Sequence, residues 1–225
     1  MRKLFISVLA AILAFSSCSL LDNPVYTFTN ASGYLNYKEQ KLFSDGGTVF
    51  NVTSDATDGN WKTDGNRIFA IFDVLNINYD ITLKSYINAV IIVPEKNSDP
   101  ENAPGAPVTV RDCSISGGYL NLLLDLYAKK GSADTPRTAH LYWSDDSTTM
   151  SFVLVIEAGE ESIVGLKESD IEGVTCPYCF PIYNLAAEGE SRMVELTINA
   201  LSKNTDGTYA SEPFTYSVFS NSITF

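Results

Sequence analysis

Cys176-Pro-Tyr-Cys179 is the sharpest chemical motif in this chain. Two cysteines at this spacing can cycle between dithiol and disulfide, provided a helix N-terminus lowers the pKa of the first thiol. Pro181 would fall early in that helix, where it removes a backbone donor and clashes with the preceding turn. No alternation of strand and helix patterns surrounds the motif. The remaining readings are a loop disulfide or a pair of packed thiols. In an oxidising compartment the expectation is a loop disulfide between Cys176 and Cys179. A zinc site needs more ligands, and only Cys113 and His140 could join, so no metal site is expected.

His140 is the only histidine. A hydrolytic triad needs a nucleophile, a base and an orienting group, and the chain has no Gly-x-Ser-x-Gly elbow. His140 therefore reads as a strand histidine with ordinary hydrogen bonds. The acidic pairs Asp145-Asp146 and Glu160-Glu161 fall in turns, whose chemistry accounts for them. Two carboxylates do glycosidase chemistry only at a defined separation, which these pairs do not specify. The chain reads as non-enzymatic and without a cofactor, with an envelope hydrolase or a thiol oxidoreductase as the weakest alternatives. Trp61, in Asp58-Gly-Asn-Trp-Lys-Thr-Asp-Gly65, has two readings. It is an exposed platform that stacks on a sugar or a peptide, or it caps a core.

Cys18 has a different kind of chemistry. Arg2 and Lys3 precede an apolar run from Leu4 to Phe15 broken only by Ser7, and Ser16 and Ser17 stand before the cysteine. That is the order of a secretory signal with a small-residue cleavage site. The run is too short for a spanning helix, which needs roughly twenty residues. With cysteine at the first mature position, the segment resembles a bacterial lipoprotein signal; simple secretion is the alternative. The resemblance implies that residues 1–17 are removed and that Cys18 carries diacylglycerol and an N-acyl chain such as palmitate. Several acyl chains hold a protein stably where one is marginal. Residues 18–24 then form a short tether, whose single acid, Asp22, makes a weak surface-export signal. The expected address is the cell envelope, at the outer membrane.

Composition narrows the partners. Net charge is −12, and becomes −14 once Arg2 and Lys3 leave with the signal. Such a field repels phosphate backbones and anionic lipid faces, so nucleic acid is excluded as a partner and the lipid must hold the membrane. Hydrophobic content of 45% with 19% charged residues describes a globular chain.

The elements that would position these residues are almost all strands. Val25–Thr29, Gly33–Tyr37, Thr48–Val52, Arg67–Val74 and Ile81–Ile87 alternate or are β-branched and aromatic. Ile81, Leu83, Ser85 and Ile87 share one face, and Ala89–Val93 is a continuous apolar run. Asp45-Gly46-Gly47 and Asp64-Gly65-Asn66 read as turns. This count of short strands suits a small barrel. Pro94–Pro107, interrupted by four prolines, is the best boundary. Beyond it, Tyr119–Tyr127 places Leu120, Leu122, Leu124 and Leu126 on one face. Thr138–Trp143 and Thr149–Glu157 form a hairpin across Ser144-Asp145-Asp146. Met193–Leu201 and Phe214–Phe219 are further strands, and only Ile163–Ile171 could hold a helical turn. Repeated alternating strands with turns between them suggest a β-sandwich. The expected architecture is all-β, with a barrel over 25–105 and a sandwich over 106–225.

This layout resembles the NigD-like family of Bacteroidota lipoproteins. The resemblance rests on the signal at Cys18, on Asn66-Arg67-Ile-Phe-Ala-Ile-Phe-Asp73, and on Asp112-Cys-Ser-Ile-Ser-Gly-Gly-Tyr-Leu-Asn-Leu122. His140-Leu-Tyr-Trp-Ser144 and the strand after it also fit. It implies an N-terminal oligonucleotide-binding-type (OB) barrel and a C-terminal sandwich. The family is named from a bacteriocin operon, which suggests an immunity role. Cys176 and Cys179 are not part of its pattern. The expected function is non-enzymatic binding of an envelope protein. A glycan-binding surface lipoprotein is the alternative.

Overall fold

The computed structural model describes residues 26–57, 66–96, 106, 108–131, 138–146, 148–157, 163, 165–200, 204–208 and 214–225. The first five strands are β1 (Tyr26–Asn36), β2 (Lys41–Ser44), β3 (Val49–Asp55), β4 (Arg67–Val74) and β5 (Asp80–Asn88). They close into a barrel in the order β1-β2-β3-β5-β4, with β3 and β5 parallel. That is the strand order of an OB-type barrel. Alternation fills the interior. Ile68, Ala70, Phe72 and Val74 of β4 meet Leu35, Leu42, Phe50, Val52, Ile81 and Leu83 in one core.

Two departures from the expected strands have local causes. Val25–Thr29 and Gly33–Tyr37 are not separate; one eleven-residue strand runs through both from Tyr26. Gly33 allows this, because a side chain there would collide with the Phe43 carbonyl of β2. The second departure is in β5. Ile71 pairs with Ser85 and Phe72 with Leu83, which leaves Lys84 as an extra, bulged residue. A bulge shifts the inward phase by one residue. Ile81 and Leu83 stay buried, but Tyr86 turns to the core in place of Ile87, which is exposed.

The remaining strands are β6 (Val90–Ile91), β7 (Glu95–Lys96), β8 (Val108–Ser116), β9 (Tyr119–Lys129), β10 (Ala139–Asp145), β11 (Thr149–Ile156), β12 (Ile171–Pro181), β13 (Ser191–Ala200) and β14 (Phe214–Thr224). They pair in the order β6-β12-β9-β8-β13-β11-β10-β7, with β14 added to β13. β8 and β13 touch at one pair, Ala200 with Val108, so the path folds there into two layers. One core fills the space between: Leu120, Leu122, Leu124 and Leu126 of β9 and Phe180 of β12 face Leu141, Phe152, Leu154, Val194 and Leu196. The alternation in β9 thus places its predicted face inside, and β11 and β13 bury one face each in the same way. Among the described residues, the one helical turn is a 3-10 turn at Glu168–Asp170.

Ala89–Val93 does not extend the barrel. Val90–Ile91 pairs in parallel with β12, and Glu95–Lys96 pairs in parallel with β10. These are the two end strands of the sheet path, so the segment straps one layer to the other.

Candidate functional site

A set of buried polar residues converges at the joint between barrel and sandwich. β4 opens with Arg67, whose side chain leaves the barrel and enters a buried cluster. Its Nη1 and Nη2 donate to Asp45 Oδ1 at 3.1 Å and Oδ2 at 2.5 Å, a two-pronged contact with the β2–β3 turn. Nη2 also donates to Asn121 Oδ1 of β9 at 2.9 Å. Asn121 Nδ2 donates to Ser116 Oγ at 3.0 Å, and Ser116 and Ser32 hydroxyls donate to Asp45 Oδ2 at 3.2 and 2.9 Å. The guanidinium lies 3.8 Å above the Tyr119 ring. The β8–β9 turn reaches this cluster because Gly117 adopts φ +57°; a side chain there would press on Asp45. Three chain segments from the two β units are therefore tied through one ion pair. Burial opposes charge on Arg67, but hydrogen bonds to Asp45 and Cys179 outweigh it and its pKa rises.

Cys179 sits in the same cluster. It is fully buried, and its Sγ donates to Asn121 Oδ1 at 3.1 Å. Burial pushes the thiol pKa up, and the pull of Arg67 does not reverse it. The thiol is held protonated, the wrong state for a nucleophile. Partial burial, with the Asp112 charge beside it, pushes the Cys113 thiol up to about 12.

The expected loop disulfide is corrected here. Cys176 and Cys179 lie within β12, not in a loop, and Cys113, Cys176 and Cys179 are not disulfide-bonded. Three residues along a strand span roughly 10 Å and put the two side chains on opposite faces. A disulfide needs Cα atoms within about 7 Å.

His140 links the strap to the sandwich. Its Nδ1 lies 3.4 Å from Glu95 of β7, and its Nε2 lies 3.1 Å from Glu157 beyond β11. Lys96, the next strap residue, pairs with Asp145 at 2.9 Å and covers the Trp143 ring. The hydrogen bond to Glu157 is the largest cause of a raised His140 pKa. A raised folded-state value means that the contribution is full below the unfolded value of about 6.5 and is lost as pH rises through the folded value. Wild type is therefore expected to be more stable than His140→Gln at about pH 6 and to lose that margin above neutrality. Thermal unfolding of both proteins across this range checks it, and a margin independent of pH would contradict it.

Trp61 and Cys18 lie outside the described residues. The chain enters the Asp58–Gly65 segment at Thr57, which with Lys84, Ser85, Tyr86 and Asn88 lines a shallow groove of about 360 Å³ on the barrel wall. The bulge at Lys84 shapes this wall, and Lys84 pairs with Asp73 at 2.9 Å. Among the described residues, no three His, Cys, Asp or Glu side chains are grouped to hold a metal.

Sequence reasoning missed the joint. Its signals were a charged residue opening the apolar strand Arg67–Val74 and an amide at Asn121 amid leucines. Nothing local linked either to Asp45, which reads as turn chemistry alone.

Fold and joint define a class: an OB-type barrel fused to a β-sandwich through a buried arginine–aspartate pair. Solved structures share this fold. A NigD-like immunity protein from Bacteroides caccae matches with a TM-score of 0.58 at 17% identity, covering 87% of this chain and 99% of that one. A candidate toxin-related protein from Parabacteroides distasonis matches with a TM-score of 0.58 at 15% identity, over 85% and 92% of the two chains. A candidate lipoprotein from Bacteroides fragilis matches with a TM-score of 0.56 at 12% identity, over 88% and 97%. No protein-family model matches the sequence, and comparison with curated proteins found no match.

Proposed function

We propose that this protein is a lipid-anchored, non-enzymatic binding module of the cell envelope, acting as an immunity-type protein. The observation that carries this reading is the two-part fold, which aligns over nearly the whole length of the Bacteroides caccae immunity protein. The chemistry of the joint supports it. The cluster that gathers Arg67, Asp45, Asn121 and Cys179 is buried, and its ion pair and hydrogen bonds run between its own members, which suits a fixed structural joint. The lipoprotein-like signal at Cys18 supplies the anchor, and the capture of a toxin or the shielding of its receptor is the action. The test is a deletion strain challenged with bacteriocin preparations from competing strains. Gained sensitivity to at least one preparation, reversed by the intact gene, is the expected result. Unchanged sensitivity to all of them rejects the immunity reading.

A second reading, glycan capture, is favoured by the barrel groove. Tyr86, Asn88, Ser85 and Thr57 offer an aromatic edge and short polar groups, the mixture that binds sugars, and Trp61 follows four residues after Thr57. Sugar binding that disappears in Trp61→Ala supports it. No binding across a glycan array removes it.

A further inference from the structure

The β4–β5 turn presents apolar side chains to solvent on an unusually braced backbone. Ile77 is 83% exposed and Tyr79 50%, and Val49 beside them is 40% exposed. The turn is held by a set of polar contacts. Asn76 Oδ1 accepts from the backbone of Asn78 at 2.9 Å, and Asn76 Nδ2 donates to Asp80 Oδ2 at 2.8 Å. Asn51 Nδ2 donates to Asp80 Oδ1 at 3.0 Å, and the Asn51 backbone donates to the Tyr79 carbonyl at 2.9 Å. Tyr79 itself is left-handed, at φ +62°, a conformation that non-glycine residues adopt at a cost. Its ring is braced edge-on by Phe50, 5.6 Å away. This polar bracing holds an isoleucine and a tyrosine at the tip of the turn, facing solvent.

The position of the turn says what it meets. Tyr26, the first described residue and itself 50% exposed, pairs with Val74, the last residue of β4 before the turn. The chain from Cys18 thus enters the barrel at the end that carries Ile77 and Tyr79. Residues 18–25 can span at most about 29 Å. The joint with the sandwich is at the other end of β4, at Arg67, roughly 23 Å further along the strand. A lipid on Cys18 therefore tethers the chain at the Ile77 end of the barrel and brings that end within reach of the bilayer. The turn, Leu75–Tyr79, contains no Lys or Arg. Tyrosine and aliphatic side chains of this kind settle among headgroups and upper acyl chains without needing anionic lipid.

We propose that the β4–β5 turn is a second membrane contact, in which Ile77 and Tyr79, flanked by Tyr26 and Val49, enter the bilayer interface and orient the protein with its barrel toward the membrane. This rests on the reading of Cys18 as lipid-modified. The test uses the full-length protein purified from membranes and placed in phosphatidylethanolamine–phosphatidylglycerol vesicles that carry a diazirine phospholipid. After illumination, adducts are mapped by peptide mass spectrometry. Adducts concentrated in the peptide with Leu75–Tyr79 are expected, and they fall severalfold in the Ile77→Ser/Tyr79→Ser variant while its thermal unfolding stays near that of wild type. A diacylglycerol-bearing Cys18 peptide with no adducts at 75–79 overturns the contact alone. Equal labelling of variant and wild type also overturns it. A Cys18 peptide without diacylglycerol overturns the anchoring reading, and this contact with it.

Discussion

Arg67→Ala is expected to destabilise the protein by about 3–5 kcal/mol, the range for removing one member of a buried ion pair. The Asp45 side chain is 6% exposed and would be left charged without its partner. Asn121, itself buried, would lose one of the two donors to its Oδ1 and keep only the weaker Cys179 thiol. The loss is spread across the joint, because Arg67 bonds both the β2–β3 turn of the barrel and β9 of the sandwich. Replacing Arg67 and Asp45 together with apolar residues of similar volume should recover much of the deficit, since the desolvation cost of both charges then vanishes. Urea unfolding of the three proteins checks this. A single Arg67→Ala variant within 1 kcal/mol of wild type would contradict the role of the pair as the pin between the two units.

The second large effect follows from the proposed anchor. Cys18→Ala removes the acyl chains, and each buried CH₂ contributes about 0.8 kcal/mol to membrane binding. The net charge of −12 offers no electrostatic substitute on an anionic surface. The variant is expected in the soluble fraction of fractionated cells, with wild type in the membrane fraction. Ile77 and Tyr79 are too small a contact to hold the protein there alone. A variant that stays with the membrane as completely as wild type would refute the anchor.

Much of the fold could be read directly from the chain, for a physical reason. Where a strand is buried on one face and keeps register, period-two alternation exposes that face. Leu120–Leu126, Met150–Ile156 and Val194–Ile198 all behave this way. The reading faltered where backbone geometry broke the period. The bulged Lys84 turned Ile87 outward, and Gly33, which looks like an interruption, lets β1 continue past β2. The run Ala89–Val93 has no period at all, so its pairing with β12 could not be inferred from its own residues. The loop expected at Cys176 and Cys179 is instead a strand that runs through both cysteines. Pro177 and Pro181 are nevertheless accommodated within β12.

The joint was illegible for a different reason. Asp45, Arg67 and Asn121 come from segments far apart in the chain, and each has an ordinary local explanation. Only the closure of the barrel onto the β8–β9 turn, through Gly117, brings them together. The exposed turn at Ile77 was equally hidden, because sequence alone does not show that Tyr26 and Val74 are neighbours.

Crosslinking in intact cells, followed by purification of the lipidated protein and mass spectrometry, tests the central claim of an anchored binding module most directly. The account predicts a reproducible envelope partner, protein or glycan, that is lost when the β units are deleted but Cys18 and its tether are kept. Recovery of the same material with the anchor alone, or of none with the full protein, would contradict it.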